Sequence, residues 1–258
     1  MKTSNILAGK AVLVTGGCSG IGQAIAVAAA RHGAKAVIVS DTTDCPRDGG
    51  EPITTRILGL GVPARFRYAN VAKRRDNDAL VETAAEFGGV DVMVLNAGIS
   101  LRSDGADVTE GDYRRLMSNN LDGMLLGAQA AACQMRRLGK AGSIILISSM
   151  GGIAGCGKTV AYSTSKGGVE LLAKALAHAL GPDGIRANSV APGVIDTGML
   201  RTTHEVAAAA ESFRQRTPLR RPGQTSEVGD AVAFLGSDLS GYISGVTLCV
   251  DGGLLSAA

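Results

Sequence analysis

Tyr162 and Lys166 lie four residues apart in the sequence Tyr-Ser-Thr-Ser-Lys. On a helix, this spacing places two side chains on the same face, one turn apart. Because a nearby ammonium group stabilises a phenolate, Lys166 is expected to lower the pKa of the Tyr162 phenol. Such a phenol can give and take a proton near neutral pH. A pair at this spacing is most often structural when alone, so its interpretation depends on the residues around it.

Two serines supply that context. Ser148 and Ser149 end an apolar run that is typical of a buried strand. Parallel sheets bind ligands at the carboxyl ends of their strands, which is where these two hydroxyls are expected. Since strand side chains alternate in direction, only one of the two can face the site, and we assign Ser149 to it and Ser148 to the opposite side.

A glycine-rich turn follows the first apolar run. It reads Gly-Gly-Cys-Ser-Gly-Ile-Gly over 16–22 and leads into a helical pattern. Gly16 suits the tight turn, Gly20 suits close approach of the backbone to a pyrophosphate, and Gly22 suits close packing of helix on strand. The helix N-terminus offers free N–H groups to the phosphates. The turn therefore predicts a dinucleotide site that includes Cys18, Ser19 and Ile21.

Asp41 ends the second predicted strand, about 20 residues after Gly22. An acidic side chain at this spacing accepts hydrogen bonds from the adenosine ribose and repels a 2′-phosphate. Neither Cys18 nor Thr42 supplies a cation for that phosphate, which favours NAD(H) over NADP(H). Arg47 in the next loop could weaken this preference, and an ordinary surface role for Asp41 is the alternative.

These residues are placed by an alternation of strands and helices that runs the length of the chain. Continuous apolar runs predict buried strands at 11–15, 36–40, 64–69, 92–95, 143–148, 186–191 and 246–250. Helices are predicted at 20–32, 52–60, 76–87, 113–138, 161–180, 205–215 and 227–235. The pattern predicts an α/β fold: one domain over 1–258, with about seven parallel strands in a doubly wound, Rossmann-type sheet and helices on both faces.

Composition excludes several other classes. The 258 residues are 45% hydrophobic, which is too apolar for a disordered chain. A net charge of +3 gives no argument for a nucleic acid partner, and no apolar run is long enough to predict a membrane span. The polar segment 1–10 lacks the hydrophobic stretch of a secretory signal. Five scattered cysteines indicate free thiols and no metal site, so a cytoplasmic protein is expected.

Taken together, these motifs are similar to those of the short-chain dehydrogenase/reductase family, in the family's order and over nearly the whole chain. The resemblance implies a catalytic tetrad of Asn120, Ser149, Tyr162 and Lys166. In that reading Tyr162 exchanges the substrate proton and Ser149 hydrogen-bonds the substrate oxygen. Lys166 holds the nicotinamide ribose and lowers the Tyr162 pKa, and Asn120 holds a water that links Lys166 to solvent.

The resemblance also implies further cofactor contacts. Asn70 and Val71 occupy the place of an Asp-Val pair at the adenine. The family's Asn-Asn-Ala-Gly turn has Leu95 in place of its first Asn, which puts one local hydrogen bond in doubt. The remaining implied contacts are Asn96, Ala97, Gly98, Pro192, Gly193, Ile195 and Thr197. Asp251-Gly252-Gly253 resembles the family's C-terminal motif.

Substrate contacts are expected from three segments, 99–102, 150–160 and a lid at 198–217. The candidate residues are Ser100, Met150, Gly151, Cys156, Met199, Arg201 and His204. Aromatic residues make up only 3% of the chain, which favours a compact substrate over a steroid. The predicted function is hydride transfer between NAD(H) and a small secondary alcohol or ketone, such as a sugar or polyol.

Two alternatives stay open. One is a 3-oxoacyl thioester reductase of the same family, although such enzymes usually use NADPH, which Asp41 disfavours. The other is a catalytically inactive NAD-binding sensor or scaffold, which would have no reason to keep all four tetrad residues. The family commonly assembles with two-fold symmetry through the helices corresponding to 113–138 and 161–180, so a homotetramer is expected.

Overall fold

A computed structural model describes residues 5–47, 49–103, 105–197, 212 and 214–256. Its main sheet has seven parallel strands in the order β3-β2-β1-β4-β5-β6-β9, and β7 and β8 form a separate parallel pair. The strands are β1 (Ala11–Thr15), β2 (Ala36–Asp41), β3 (Ala64–Tyr68), β4 (Val92–Leu95), β5 (Gly142–Ile147), β6 (Ile185–Pro192), β7 (Ile195–Asp196), β8 (Gly223–Gln224) and β9 (Thr247–Val250). All seven predicted strands of the main sheet are present, and the predicted fold class is confirmed.

Helices cover both faces of the sheet. They are α1 (Gly20–Arg31), α2 (Ile53–Gly59), α3 (Arg74–Glu82), α4 (Glu110–Met117), α5 (Gly123–Arg137), α6 (Met150–Ala154), α7 (Val160–Leu180) and α8 (Thr225–Gly236). Helices α1 and α8 pack together on one face, and α3, α5 and α7 lie over the other. No helix in these described ranges is long and apolar enough to cross a membrane.

The apolar runs form strands because both faces of the sheet are buried. In β1, Val12 and Val14 belong to the core under α1 and α8, whereas Leu13 belongs to the core under α5 and α7. Alternate residues of one strand thus serve opposite cores, so nearly every position is apolar. The strand order reverses between β1 and β4, which opens the crevice where doubly wound sheets bind ligands.

Helical structure covers nearly the whole range predicted at 113–138, but it is not one regular α-helix. The structure has α4, then a π-helical turn at Ser118–Asp122, then α5. Asn120 in this turn is buried and bonded to the loop after β4, so the extra residue per turn serves to aim its side chain inward. The prediction for 76–87 begins two residues late and its last part is a 3₁₀ turn, Thr83–Phe87. The helix predicted at 205–215 falls largely outside the described residues.

Candidate active site

Four chain segments converge at the carboxyl edge of the sheet. They are the glycine turn after β1, the Asn96–Gly98 turn after β4, Ser149 after β5, and Gly193 after β6. Helix α7 crosses this edge and brings Tyr162 and Lys166 to it, with its first turn close to α6. The site is therefore assembled from residues spread over most of the chain.

The Ser149 side chain lies close enough to the Tyr162 phenol to act on its pKa, which it lowers. Ser149 also caps α6, since its Oγ accepts from the backbone N of Gly151 at 3.2 Å. Ser148 points the other way, as predicted: its buried Oγ donates to the carbonyl of Lys166 at 3.0 Å. The two neighbouring serines thus have different tasks, one beside the phenol and one anchoring α7 to the sheet.

Lys166 is buried beneath Tyr162. Its Nζ donates to the carbonyl of Ile147 at 2.7 Å and lies 5.7 Å from the centre of the Tyr162 ring. Burial lowers the pKa of Lys166 to about 8, and the negative charge of Glu170 opposes that change. The ammonium form is thus retained at neutral pH, close to the point where it would be lost.

The expectation of a lowered Tyr162 pKa is not met. Burial raises the pKa of this phenol, and only Ser149 acts to lower it. The physical reason is the orientation of Lys166, whose Nζ is directed to Ile147 and lies over the ring. Tyr162 in this structure is therefore a neutral phenol at pH 7, suited to donating a proton, and Ser149 is the group that favours its ionisation.

Asn120 is bound to the protein at both ends of its amide. Its Nδ2 donates to the carbonyl of Ile99 at 2.9 Å and to Ser165 Oγ at 3.2 Å, and its Oδ1 accepts from the Ile99 N at 2.8 Å. Both amide protons are used, so the side chain fixes the loop after β4. The implied role of holding a water would have to use another atom, such as the main-chain carbonyl. Ser165, on α7, completes this contact.

The glycine turn fits a dinucleotide. A Cβ at Gly22 would lie 2.0 Å from the carbonyl oxygen of Gly16, so the helix can approach the turn this closely only with glycine there. Gly20 has φ +54°, and a Cβ there would enter the space toward Thr197, 3.9 Å from its Cγ2. The N-cap Ser19 makes no side-chain capping bond. Open backbone beside an uncapped helix N-terminus is the environment that a pyrophosphate requires.

Asp41 lies beside this turn at the end of β2. Its Oδ2 accepts from the N of Cys18 at 3.3 Å, and its Oδ1 accepts from the N of Thr42 at 2.8 Å. These bonds hold the carboxylate at the turn with lone pairs left for ribose hydroxyls. Cys18 contributes only its backbone, because burial raises the pKa of its thiol to about 12. Ile21 packs against the core.

Thr15, the first residue of the glycine motif in the sequence, connects that motif to the turn after β4. Its Oγ1 accepts from the N of Asn96 at 3.0 Å and from the N of Ala97 at 3.1 Å. Asn96 Nδ2 in turn donates to the carbonyls of Thr15 and Gly16. These bonds tie the turn after β4 to the glycine turn. Leu95, in the position of the family's first Asn, is buried in the core, so the turn keeps its shape without that hydrogen bond.

Asn70 already uses one end of its amide. Its Oδ1 accepts from the N of Ala72 at 3.0 Å, which leaves Nδ2 as the group for an adenine. Val71 is buried beside Gly123, where a Cβ would lie 2.9 Å from the Val71 Cγ2.

Across the crevice, a Cβ at Gly193 would lie 2.7 Å from the Cα of Asp251. This glycine lets the end of β6 pack against the predicted C-terminal motif.

The remaining predicted contacts divide into three groups. Pro192 ends β6, Ile195 is buried in β7, and Thr197 follows it. Gly98 lies at the tetrad, since a Cβ there would be 3.1 Å from Asn120 Oδ1 and 3.7 Å from Lys166 Nζ.

The predicted substrate residues differ in their position relative to the tetrad. Met150 and Gly151 begin α6 directly after Ser149, whereas Ser100 and Cys156 lie exposed in loops. Met199, Arg201 and His204 lie outside the described residues.

The cysteines of the chain are free thiols. Within the described ranges, no group of three or more His, Cys, Asp or Glu side chains could hold a metal ion. The chemistry of the site therefore rests, in this part of the chain, on hydroxyl, phenol, amide and ammonium groups.

Comparison with known proteins gives the same picture at the level of the whole chain. A family model described as enoyl-(acyl carrier protein) reductase matches residues 16–255. An L-rhamnose 1-dehydrogenase (NAD(P)(+)) from Azotobacter vinelandii is 37% identical over 96% of this chain and 98% of its own length. A trans-4-hydroxycyclohexanecarboxylate dehydrogenase from Sinomonas cyclohexanicum is 38% identical over 98% of this chain and 95% of its own.

A solved structure is similar over the whole fold. It is a protein from Agrobacterium tumefaciens described as a 2-deoxy-D-gluconate 3-dehydrogenase, with NADP bound. The TM-score is 0.89 at 31% identity, over 99% of this chain and 100% of that one. The relatives named here thus act on hydroxyl groups of rings or sugar acids, and the cofactors in their descriptions include both NAD and NADP.

Proposed function

The chain belongs to the short-chain dehydrogenase/reductase family, and we propose that it oxidises a small secondary alcohol, a sugar, polyol or cyclic hydroxy compound, with Tyr162 as acid and base. It is an oxidoreductase that acts on CH–OH groups, like the dehydrogenases to which it is similar. The observation that carries the proposal is the buried ammonium of Lys166, whose Nζ lies 5.7 Å from the centre of the Tyr162 ring, with Ser149 acting on the same phenol.

A bound nicotinamide cofactor would accept the hydride from the carbon that bears the hydroxyl. The chain's own residues handle the proton. Ser149 Oγ hydrogen-bonds the substrate oxygen, and Tyr162 takes the hydroxyl proton as the carbonyl forms. In the reverse direction the neutral phenol returns that proton. Ser149 is the side chain that favours ionisation of the phenol, and Lys166 would hold the nicotinamide ribose.

The loop after β4 is held for this task by Asn120 and Thr15. Asn120 fixes Ile99 from one side, and Thr15 fixes Asn96 and Ala97 from the other. A loop fixed at both ends presents its backbone to the cofactor without further ordering, which lowers the entropic cost of binding. We therefore assign Asn120 a positioning role through its side chain.

The preference for NAD(H) over NADP(H) forms part of the proposal and is supported by Asp41. Replacing Asp41 with Asn removes the charge and keeps the size of the side chain. We expect the ratio of kcat/KM for NADP⁺ to that for NAD⁺ to rise about tenfold, the effect of about 1.4 kcal/mol of charge repulsion. Initial rates with each cofactor at a fixed alcohol concentration measure this ratio.

Asp44, exposed three residues further on, gives a matched control. The Asp44→Asn variant removes the same charge from the same loop and is expected to leave the ratio unchanged. A wild-type protein that prefers NADP⁺, or an Asp41→Asn variant with an unaltered ratio, would contradict the assignment of Asp41 to the ribose.

Substrate class is tested by a panel of alcohols read as NADH formation. The proposal predicts turnover with members of the sugar and cyclic alcohol groups, such as L-rhamnose, cyclopentanol and trans-4-hydroxycyclohexanecarboxylate. A 3-oxoacyl thioester reductase would instead reduce a β-ketoacyl thioester and leave the ring alcohols untouched. Activity confined to the thioester would replace the proposed substrate class with that alternative.

The alternative from another class, an inactive NAD-binding sensor, has less support. Such a protein needs the glycine turn and Asp41 but not the placement of Ser149 beside Tyr162. A sensor would bind NADH, as shown by a change in NADH fluorescence, and would release no product from any alcohol or thioester.

We also propose that the chain forms a homotetramer and works in the cytoplasm. The assembly is supported by large apolar side chains that the single chain leaves exposed on α7 and near β9, among them Leu171, Leu239 and Tyr242. The location is supported by the free thiols. We further propose one catalytic domain over 1–258 with its substrate lid at 198–217.

A further inference from the structure

Glu170 is a buried carboxylate on the catalytic helix. It lies one turn beyond Lys166 and two turns beyond Tyr162 on α7, on the same face, and is only 8% exposed. Buried acids are rare unless they are paired or hydrogen-bonded, so its presence here needs an explanation. The mechanism derived above does not use it directly.

The two carboxylate oxygens have different environments. Oε2 accepts from Ser189 Oγ at 3.1 Å and from Thr247 Oγ1. Ser189 in β6 and Thr247 in β9 are register partners in the sheet, so one oxygen ties α7 to both strands. The other oxygen, Oε1, is buried and has no hydrogen-bond partner among the described residues. The hydroxyls of Ser189 and Thr247 could also donate to the oxygen of a neutral side chain such as glutamine. These two hydrogen bonds therefore do not explain why an acidic residue occupies position 170.

The charge is accounted for by Lys166. This ammonium is buried, and its Nζ donates to a carbonyl, that of Ile147. A lone buried cation is strongly disfavoured, and an opposite charge one helical turn away offsets that cost. Glu170 supplies the negative charge that acts on Lys166 and raises its pKa against the effect of burial.

We propose that Glu170 is a positioning residue for the reaction, whose buried carboxylate keeps Lys166 charged and fixes the catalytic helix to β6 and β9. This rests on the proposed function in taking Lys166 as part of the catalytic group. Glu170 acts through Lys166, and neither of its oxygens has to touch substrate or cofactor. The same bonds set α7 against the strand that leads into Pro192 and Gly193.

Other titratable groups near this pair can be separated from it. On α7 these are Tyr162 and Lys166 themselves, and on β9 the exposed Cys249 is influenced by Glu170 and Asp251. Burial and Asp251 raise the pKa of the Cys249 thiol. A Cys249→Ser background therefore removes a neighbouring thiol whose titration Glu170 influences. The Tyr162 phenol remains in every variant, and because burial raises its pKa it loses its proton at higher pH than Lys166 does.

The test is the dependence of melting temperature on pH, without cofactor, from about pH 6 to about pH 10. In the parent, Lys166 has a folded pKa of about 8, below its ordinary 10.5. Between these values the unfolded chain binds more protons, so stability rises with pH there. In Glu170→Gln the amide keeps hydrogen bonds but loses the charge. We expect the melting temperature to begin its rise about one pH unit lower than in the parent, because loss of the opposite charge lowers the pKa of Lys166 further.

The control is Thr247→Val, which removes one helix-to-sheet hydrogen bond and keeps the carboxylate. This variant is expected to have a lower melting temperature than the parent at every pH. The pH at which its melting temperature begins to rise should be the same as in the parent. If the pH at which the melting temperature begins to rise is lowered no more in Glu170→Gln than in Thr247→Val, Glu170 is only structural and the proposal is overturned. Should Glu170→Gln fail to fold, Glu170→Asp replaces it: its retained charge should leave the titration in place, and a shift there would overturn the proposal too.

This readout is independent of turnover. If no alcohol yields NADH, the proposed function fails while the coupling of Glu170 to Lys166 is still measured by melting. If the enzyme is active, the alkaline limb of kcat/KM should move to lower pH in Glu170→Gln by the same amount as the melting profile.

Discussion

The Tyr162→Phe variant is expected to lose nearly all turnover while it still binds NADH. Removing the phenol oxygen leaves the hydroxyl proton of the substrate without an acceptor, and general acid–base catalysis is worth roughly 10²–10⁴-fold in rate. We therefore expect kcat to fall by roughly 10³-fold. Below the pH at which Lys166 loses its proton, the wild-type rate of alcohol oxidation should increase with pH because ionisation of the phenol becomes more favourable, and the variant should lose that dependence.

Folding should be little affected, since phenylalanine keeps the ring and the variant loses a single hydroxyl, at most one hydrogen bond worth about 0.5–1.5 kcal/mol. Tyr113→Phe, at an exposed position on α4, is the matched control and should keep wild-type rates. NADH affinity from fluorescence titration separates loss of chemistry from loss of binding. A Tyr162→Phe variant with undiminished turnover would remove Tyr162 from the reaction.

The Lys166→Met variant is expected to lose both rate and cofactor affinity. Methionine fills a similar volume but supplies no charge, so the cation beside the Tyr162 ring is removed and the carbonyl of Ile147 loses its donor. Loss of one such electrostatic contact costs roughly 10²–10³-fold in kcat. The KM for NAD⁺ should rise as well, because Lys166 is proposed to hold the nicotinamide ribose. Steady-state rates with varied NAD⁺ measure both effects.

Lys174→Met, on the exposed side of the same helix, is the control and should behave as wild type. The double variant Tyr162→Phe, Lys166→Met adds a further check. Residues that act as one unit show non-additive losses, so the double variant should be about as slow as Tyr162→Phe alone. Fully additive losses would mean that Lys166 acts independently of the phenol.

The fold could be predicted because burial on both sides of the sheet leaves a strong trace in the sequence. Val12, Leu13 and Val14 serve two different cores and are all apolar, which made β1 visible. The π-helical turn at Asn120 has no corresponding signal in the pattern of apolar residues. Its cause is a set of hydrogen bonds to Ile99, a residue distant in sequence, and the apolar pattern of 113–138 continues through it.

The candidate site was predicted in part. The glycine turn and the spacing of Tyr162 and Lys166 are local features, and local features can be read from sequence. The pKa of Tyr162 depends on burial and on the orientation of Lys166, which only the packed structure supplies. For the same reason, the role of Glu170 and the hydrogen bonds of Thr15 to the turn after β4 were not predicted. A threonine ending a strand, or an acid four residues after a lysine on a helix, becomes informative only once its partners are known.

The measurement that tests the central claim most directly is NADH formation from a panel of sugars and cyclic secondary alcohols, with wild-type protein and Tyr162→Phe side by side. The account predicts that the wild type forms NADH with at least one of these alcohols, with equimolar ketone or lactone, and that Tyr162→Phe forms almost none at the same NADH affinity. No NADH from any alcohol with the wild type, or equal rates for the two proteins, would contradict it.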